Sequence, residues 1–289
     1  MRFGIDVAPL GGLSDPRLVV RLARAAEDAG WDGISVWDNV GNSMGVPIAD
    51  PFVTLAAVAA NTQRLRLILS AVVLPRRRPH HVAQALGTLD ELSDGRLVIG
   101  VAIGGDPAEF EAFGEPSDRL TRARKLEEGL GLVDAWLRGE TVSHDGPAYV
   151  VRDAAVGPPP VQRPRPPIWV GAGATPGLRR AARWEGWIAV GTAEDGSIAM
   201  PLAPEDLARS LGIVETERAS LGRSDEPFDV AILGYDEPGM PGRPADYAAA
   251  GATWWLESLH LQREPYEALL ARVAAGPSAV PSRTGIRPL

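Results

Sequence analysis

From end to end the chain alternates short β-rich runs with amphipathic helical runs, and no other feature restricts its fold so tightly. A strand that reaches its neighbour through a helix must run parallel to it, because the crossover returns the chain to the same end of the sheet. The pattern predicts strands at Phe3–Ala8, Gly33–Trp37, Leu65–Leu74, Arg96–Gly104, Pro167–Ala172, Trp187–Val190, Phe228–Leu233 and Ala252–Ser258. The helices between them carry their own punctuation. Over Pro16–Gly30, Leu18, Leu22, Ala25 and Ala29 share a face and Gly30 ends the run, while Asp50 and Pro51 supply an N-cap and a first helical residue. Strand and helix units spread over roughly 275 residues suit a closed α/β architecture, the (β/α)8 TIM barrel. An open doubly wound sheet is the alternative, but it calls for a Gly-rich loop after the first strand, and VAPLGG is a poor version of one.

The rhythm breaks once. After the fourth strand an insertion, about residues 105–167, contains a long helix near Ser117–Arg138 and then a proline-rich stretch with room for a small hairpin. The expected organisation is one barrel domain over residues 1–275, with 276–289 as a disordered tail.

Composition removes several classes of function. The chain has 289 residues and is 45% hydrophobic, enough for a full core. It contains no cysteine, so disulfides and thiolate metal sites are excluded. A net charge of −8 argues against nucleic acid and acidic membranes as partners. MRFGIDVAPL lacks the apolar core of a signal peptide, and no apolar run approaches the ~18 residues of a membrane span. These features together predict a cytoplasmic protein.

In a barrel of this kind the ligand site lies at the C-terminal ends of the strands. Asp38 and Asn39 end the second strand and should rim that site, although Asp38 can equally serve a helix or loop amides. The fifth strand ends Gly171-Ala172-Gly173, followed by Ala174, by Thr175 as a cap and by Pro176 as a first helical residue. Small residues before free N–H groups make a cradle for an anion. Val190, Gly191 and Thr192, after the neighbouring sixth strand, can add amides and a hydroxyl. Gly104 and Gly105 permit close approach after the fourth strand, where Asp106 is read as a cap and Glu109 as a possible pocket group. Arg76, Arg77 and Arg78 form a basic cluster, His80 and His81 are expected at the surface, and His144 and His260 stand alone. Trp187 and Trp255 are read as core or, alternatively, as pocket wall. No metal-binding motif is present, and Lys125 lies on a helix rather than at a strand end. The chemistry is therefore expected to come from an organic cofactor.

Four segments, GWDGISVWDN, DPFVTLAAVAANTQRLRL, VVLPRRRPHHVAQALGTLDELSDGRLVIGVAIGGDPAEFEAFGE and GATWWLE, resemble the bacterial luciferase-like superfamily of flavin- or deazaflavin-dependent oxidoreductases. The resemblance implies a barrel, commonly dimeric, with the ring of reduced FMN or coenzyme F420 lying across the strand tips. It implies a non-proline cis peptide at Ala71–Val72, beside Ser70, supporting that ring. Gly173, Ala174 and Thr175 match the family's phosphate-binding loop, and Asp38-Asn39 match a position that lines ring and substrate. Many deazaflavin members carry a histidine there as an acid–base group, and Asn39 cannot transfer protons. The implied activity is monooxygenation or hydride transfer on a small organic substrate, with a separate flavin reductase as a partner in the FMN case. A flavin-binding carrier without catalysis is the alternative.

Overall fold

The computed structural model describes residues 1–40, 45–192, 198–200, 202–237 and 240–277. Eight parallel strands close into a barrel: β1 (Arg2–Val7), β2 (Gly33–Val36), β3 (Arg66–Val73), β4 (Leu97–Ala102), β5 (Ile168–Ala172), β6 (Gly186–Ala189), β7 (Asp229–Gly234) and β8 (Trp254–Leu259). Each strand read from the sequence is present within two residues at either end. Closure excludes the open sheet, because β1 pairs with β2 on one side and with β8 on the other. Asp6 lies opposite Ser35 in the first pairing and opposite Ser258 in the second.

Nine helices are described: α1 (Pro16–Asp28), α2 (Pro51–Ala59), α3 (Pro79–Leu92), α4 (Ala108–Glu111), α5 (Arg119–Leu137), α6 (Thr175–Ala181), α7 (Pro204–Ser220), α8 (Pro244–Ala249) and α9 (Tyr266–Ala274). Asp15, Asp50 and Asp118 cap α1, α2 and α5 through their carboxylates, satisfying amides that a helix start leaves free. Among the described residues, no helix is long and apolar enough to cross a membrane.

The inserted stretch is integrated into the barrel. Its long helix α5 packs along α3, and an antiparallel hairpin joins Val142–Asp145 to Val150–Ala154. The proline-rich segment then returns beneath α3. Gly87 allows this, since a Cβ there would overlap the Pro158 carbonyl. Gln162 pins the segment by donating to Asp90 at 2.7 Å and to the Leu97 carbonyl at 2.8 Å, at the start of β4. The segment is therefore held against α3 and the start of β4. Of the tail expected over 276–289, residues 278–289 lie outside the described residues.

One apolar layer fills the space between strands and helices. A second fills the barrel lumen, with Ile68, Val98, Trp169, Ile188, Ala231, Leu233, Trp254 and Leu256. Trp169 and Trp254 meet edge to face, 5.8 Å apart, near the beginnings of β5 and β8. They plug the N-terminal half of the lumen. Trp187 and Trp255 are core, as their sequence context suggested.

Candidate active site

Alternate residues of a strand face the same side, so the lumen lining can be followed upward along each strand. On β8, Trp254 and Leu256 lead to Ser258. On β2, a Cβ at Gly33 would touch Trp254, so Ser35 and Trp37 follow on the lumen side. On β1, Gly4 faces Leu256, and Asp6 comes next. Towards the strand tips the lumen thus changes from apolar to polar, and the change centres on Asp6. Its carboxyl is fully buried and accepts from Ser35 Oγ at 2.6 Å, Trp37 Nε1 at 2.6 Å, Ser70 Oγ at 3.2 Å and Ser258 Oγ at 3.2 Å. Ser35 and Ser70 also hydrogen-bond to each other. Burial outweighs these four donors and pushes Asp6 up to about 6.

Above this polar layer, small residues end three successive strands. A Cβ at Gly171 would lie 3.3 Å from the Ala102 Cβ and 3.8 Å from the Ala71 Cβ. Ala71, Ala102 and Gly171 are all half-buried and together form a low apolar shelf open to the C-terminal face. Ala71 reaches it because the register between β3 and β4 shifts between Leu69 and Val72. The non-proline cis peptide falls at Ser70–Ala71, one bond before the expected Ala71–Val72, because Val72 has already rejoined the ladder opposite Val101. Val72 consequently turns into the sheet–helix core and is fully buried, away from the shelf.

Beside the shelf, Gly173 packs against the loop after β6. A side chain there would overlap the Val190 carbonyl and the Thr192 hydroxyl and press on Gly191. The structure therefore brings Gly173, Val190, Gly191 and Thr192 together, while Gly171 belongs to the shelf. Helix α6 begins one residue earlier than expected: Ala174 is its N-cap, without a side-chain capping bond, and Thr175 is its first residue. Thr175 is exposed at that helix start. Gly104 has a φ of +87°, and its carbonyl accepts from Arg122 at 2.8 Å. Its role is the turn after β4, where a Cβ would meet Val73 and Phe110 at 2.9 Å.

Asp38 is only 3% exposed. Its Oδ2 accepts from Val73 N at 2.9 Å and Arg77 Nε at 3.0 Å, and its Oδ1 accepts from Arg77 Nη2 at 2.7 Å. Arg76 donates to the Asp38 carbonyl at 2.8 Å and pairs with Glu109, which also accepts from Val40 N at 3.0 Å. The Asp38 carboxylate thus serves one main-chain amide, that of Val73 at the end of β3, and the Arg77 guanidinium. Asn39 beside it is half-buried. Arg76, Arg77 and Glu109 are engaged within this network, and Arg78 is exposed. Asp106 accepts from Ala108 N at 2.9 Å, the capping role read for it. His80 and His81 are exposed.

Sequence reasoning passed over Asp6, Ser35 and Ser258, and it left His260 isolated. One signal was available: FGIDVA and GISVW each carry a single polar residue inside an apolar strand. The lumen parity of β7 and β8 also delivers Tyr235 and His260, whose hydroxyl and Nε2 lie 3.0 Å apart. Burial and the nearby Asp6 charge raise Tyr235, while burial and Arg263 lower His260, so both are neutral near pH 7. The His260 Nδ1 is buried and has no partner among the described residues. The clefts of about 530 and 500 Å³ that surround Arg2 lie at the opposite, N-terminal end and involve none of these groups.

Comparison with known proteins agrees with this geometry. The family model described as luciferase-like monooxygenase matches residues 2–235. An uncharacterized protein of Mycobacterium tuberculosis is 29% identical over 254 residues, covering 82% of each chain. The crystal structure of monooxygenase RslO1 from Streptomyces bottropensis superposes with a TM-score of 0.75 at 21% identity, covering 94% of this chain and 96% of that one. The coenzyme F420-dependent tetrahydromethanopterin reductase from Methanopyrus kandleri gives a TM-score of 0.75 at 19% identity, covering 95% and 98%. At these identities the structural likeness is one of fold.

Proposed function

The chain belongs to the luciferase-like monooxygenase family, and we propose that it is an oxidoreductase that binds reduced FMN or reduced coenzyme F420 across its strand tips and acts on a small organic substrate. The observation that carries this reading is the shelf of Ala71, Ala102 and Gly171, which leaves a flat apolar surface at the ends of adjacent strands. A planar ring fits such a surface, whereas larger side chains at these positions would occupy it.

The chain's own residues divide the work. Ala71, Ala102 and Gly171 support the ring face. Ser70, at the edge of the shelf, offers it a hydroxyl. Gly173, Ala174 and Thr175, with Val190, Gly191 and Thr192, receive the phosphate-bearing tail through amides and hydroxyls at the start of α6. Asp38 does not touch the ligand in this reading. It holds the tips of β2 and β3 together and so positions Asn39 and the bulge. Tyr235 and His260 form the titratable pair on the same face and are the candidates for holding or moving a proton at a substrate oxygen. A bound reduced ring would supply two electrons, as hydride or to dioxygen.

The same shelf also suits a flavin carrier without turnover, and one observation favours that second reading: the carboxylate nearest the tip of β2 is committed to Arg77 and Val73. A homodimer and, for FMN, a separate reductase complete the proposal. The deciding experiment is an anaerobic titration with FMNH2 and with reduced F420 in parallel. Micromolar binding of one of them supports the reading and chooses the cofactor. Binding of neither overturns it.

A further inference from the structure

Asp6 lies beneath the shelf, yet one hydroxyl connects it to the open face. Of the groups bonded to its carboxyl, Ser35 and Ser258 are fully buried, whereas Ser70 is half-buried at the bulge beside Ala71. Ser70 reaches Asp6 directly at 3.2 Å and also through Ser35, which lies 2.6 Å from the same carboxyl oxygen.

A carboxylate can only accept hydrogen bonds. While Asp6 is ionised, the hydroxyl hydrogens of Ser35, Ser70 and Ser258 turn inward, and Ser70 shows lone pairs on its open side. A protonated carboxyl has one O–H to donate, so one neighbouring donor must become an acceptor. The Trp37 indole N–H cannot make that change. The rearrangement therefore falls on the hydroxyls, and it can free the Ser70 hydrogen to point outward.

We propose that Asp6 is a positioning residue for ligand binding: through Ser70, it sets whether the shelf presents a lone pair or a proton to the polar edge of the bound ring. The inference rests on the flavin-type reading above.

The surroundings permit this control. From β2, Ser35 and Trp37 face Asp6, and the Asp38 carboxylate is turned away to Val73 and Arg77. From β3 the facing group is Ser70. From β8 it is Ser258, followed at the rim by His260. From β7, Tyr235 feels the Asp6 charge. Arg263 donates to the Ser258 carbonyl at 2.5 Å and lies over the Tyr235 ring. The position of Asp6 at about 6 brings the change within an accessible pH range.

The test is a set of binding titrations from pH 5 to pH 8 on the purified chain and its Asp6→Asn and Ser70→Ala variants. The probes are FMNH2, reduced riboflavin and reduced F420 under anaerobic conditions, with thermal unfolding recorded in parallel. A probe's own ionisation is common to all three proteins, so the difference between their profiles reports the protein's contribution. We expect the wild-type dissociation constant to change by about fivefold around pH 6, as one hydrogen bond of ordinary net strength gives. Ser70→Ala should flatten that step while unfolding keeps its pH dependence, a separation that a merely structural Asp6 would not produce. Asp6→Asn should flatten both. A Ser70→Ala profile identical to wild type overturns the inference, and Ser70→Ala decides the matter even if Asp6→Asn does not fold. Binding that is independent of pH in the wild-type chain overturns the inference alone. Failure of every probe to bind overturns the flavin-type reading, and the inference with it.

Discussion

The Asp38 carboxylate accepts the main-chain N–H of Val73 at 2.9 Å, joining the tip of β2 to the end of β3 just beyond the bulge that carries Ala71. Arg77 closes the latch from the other side of the same carboxylate. The height of the shelf therefore depends on a buried ion pair that itself need not face a ligand.

Removing one partner of such a pair leaves the other unsatisfied. Asp38→Ala should destabilise the fold by about 2–4 kcal/mol in urea unfolding. Asp38→Asn, which keeps an acceptor for Val73, should lose less. An Asp38→Ala protein of wild-type stability that no longer binds flavin would instead put Asp38 against the ligand.

Asp6 should make the fold less stable as the solution is made less acid. Its folded-state value, about 6, lies above the ordinary 3.8. Between those values the unfolded chain has released the proton and the folded chain retains it. The contribution is therefore complete below about pH 4 and lost as pH rises through about 6, amounting to about 3 kcal/mol. Urea unfolding free energies from pH 4 to pH 7.5 should show this decline in the difference between wild type and Asp6→Asn. Parallel curves for the two proteins would refute it.

Ala71 is half-buried on an open surface, so a larger side chain there has room in the protein. Ala71→Leu should keep the wild-type unfolding temperature and weaken flavin binding by about tenfold or more, because it occupies the space a ligand needs. Unchanged flavin affinity would show that the ring lies elsewhere.

Gly173 meets the opposite constraint. A Cβ there would fall 2.5 Å from the Val190 carbonyl oxygen, closer than packing permits. Gly173→Ala should cost about 1–3 kcal/mol of stability and displace the loop after β6. Calorimetry checks the first effect and FMN titration the second. A fully stable variant would mean that the two loops can part freely.

His260 is held below its ordinary value of 6.5 by burial and by Arg263. An NMR pH titration should show its imidazole charging below pH 6.5, and Arg263→Met should move it upward. A midpoint at or above 6.5 in the wild-type chain would remove His260 from the set of neutral groups at the rim.

The barrel and the end of it that carries the candidate site were legible in the sequence, because both are written locally. Strand periodicity, helix caps and stop glycines act over a few residues, and GISVWDN and VGAGATP announced strand tips directly. The partners of those tips were not legible. Asp38 and Asn39 read alike in the chain, yet one became a latch once Val73 of β3 and Arg77 in the turn after it arrived. The cis bond fell at Ser70 rather than one residue later because the ladder with β4 decided where β3 resumes.

Sequence alone thus determined an alternating, parallel, eight-stranded architecture with small residues at several strand ends. Closure decided the rest. Asp6 and Ser258 are 252 residues apart and meet only because β1 pairs with β8. That pairing gives the lone acid of β1 its hydroxyl neighbours and withdraws it from water. The same acid on an open edge strand would be solvated and ordinary, so its altered acidity belongs to the ring of strands rather than to the six residues around it.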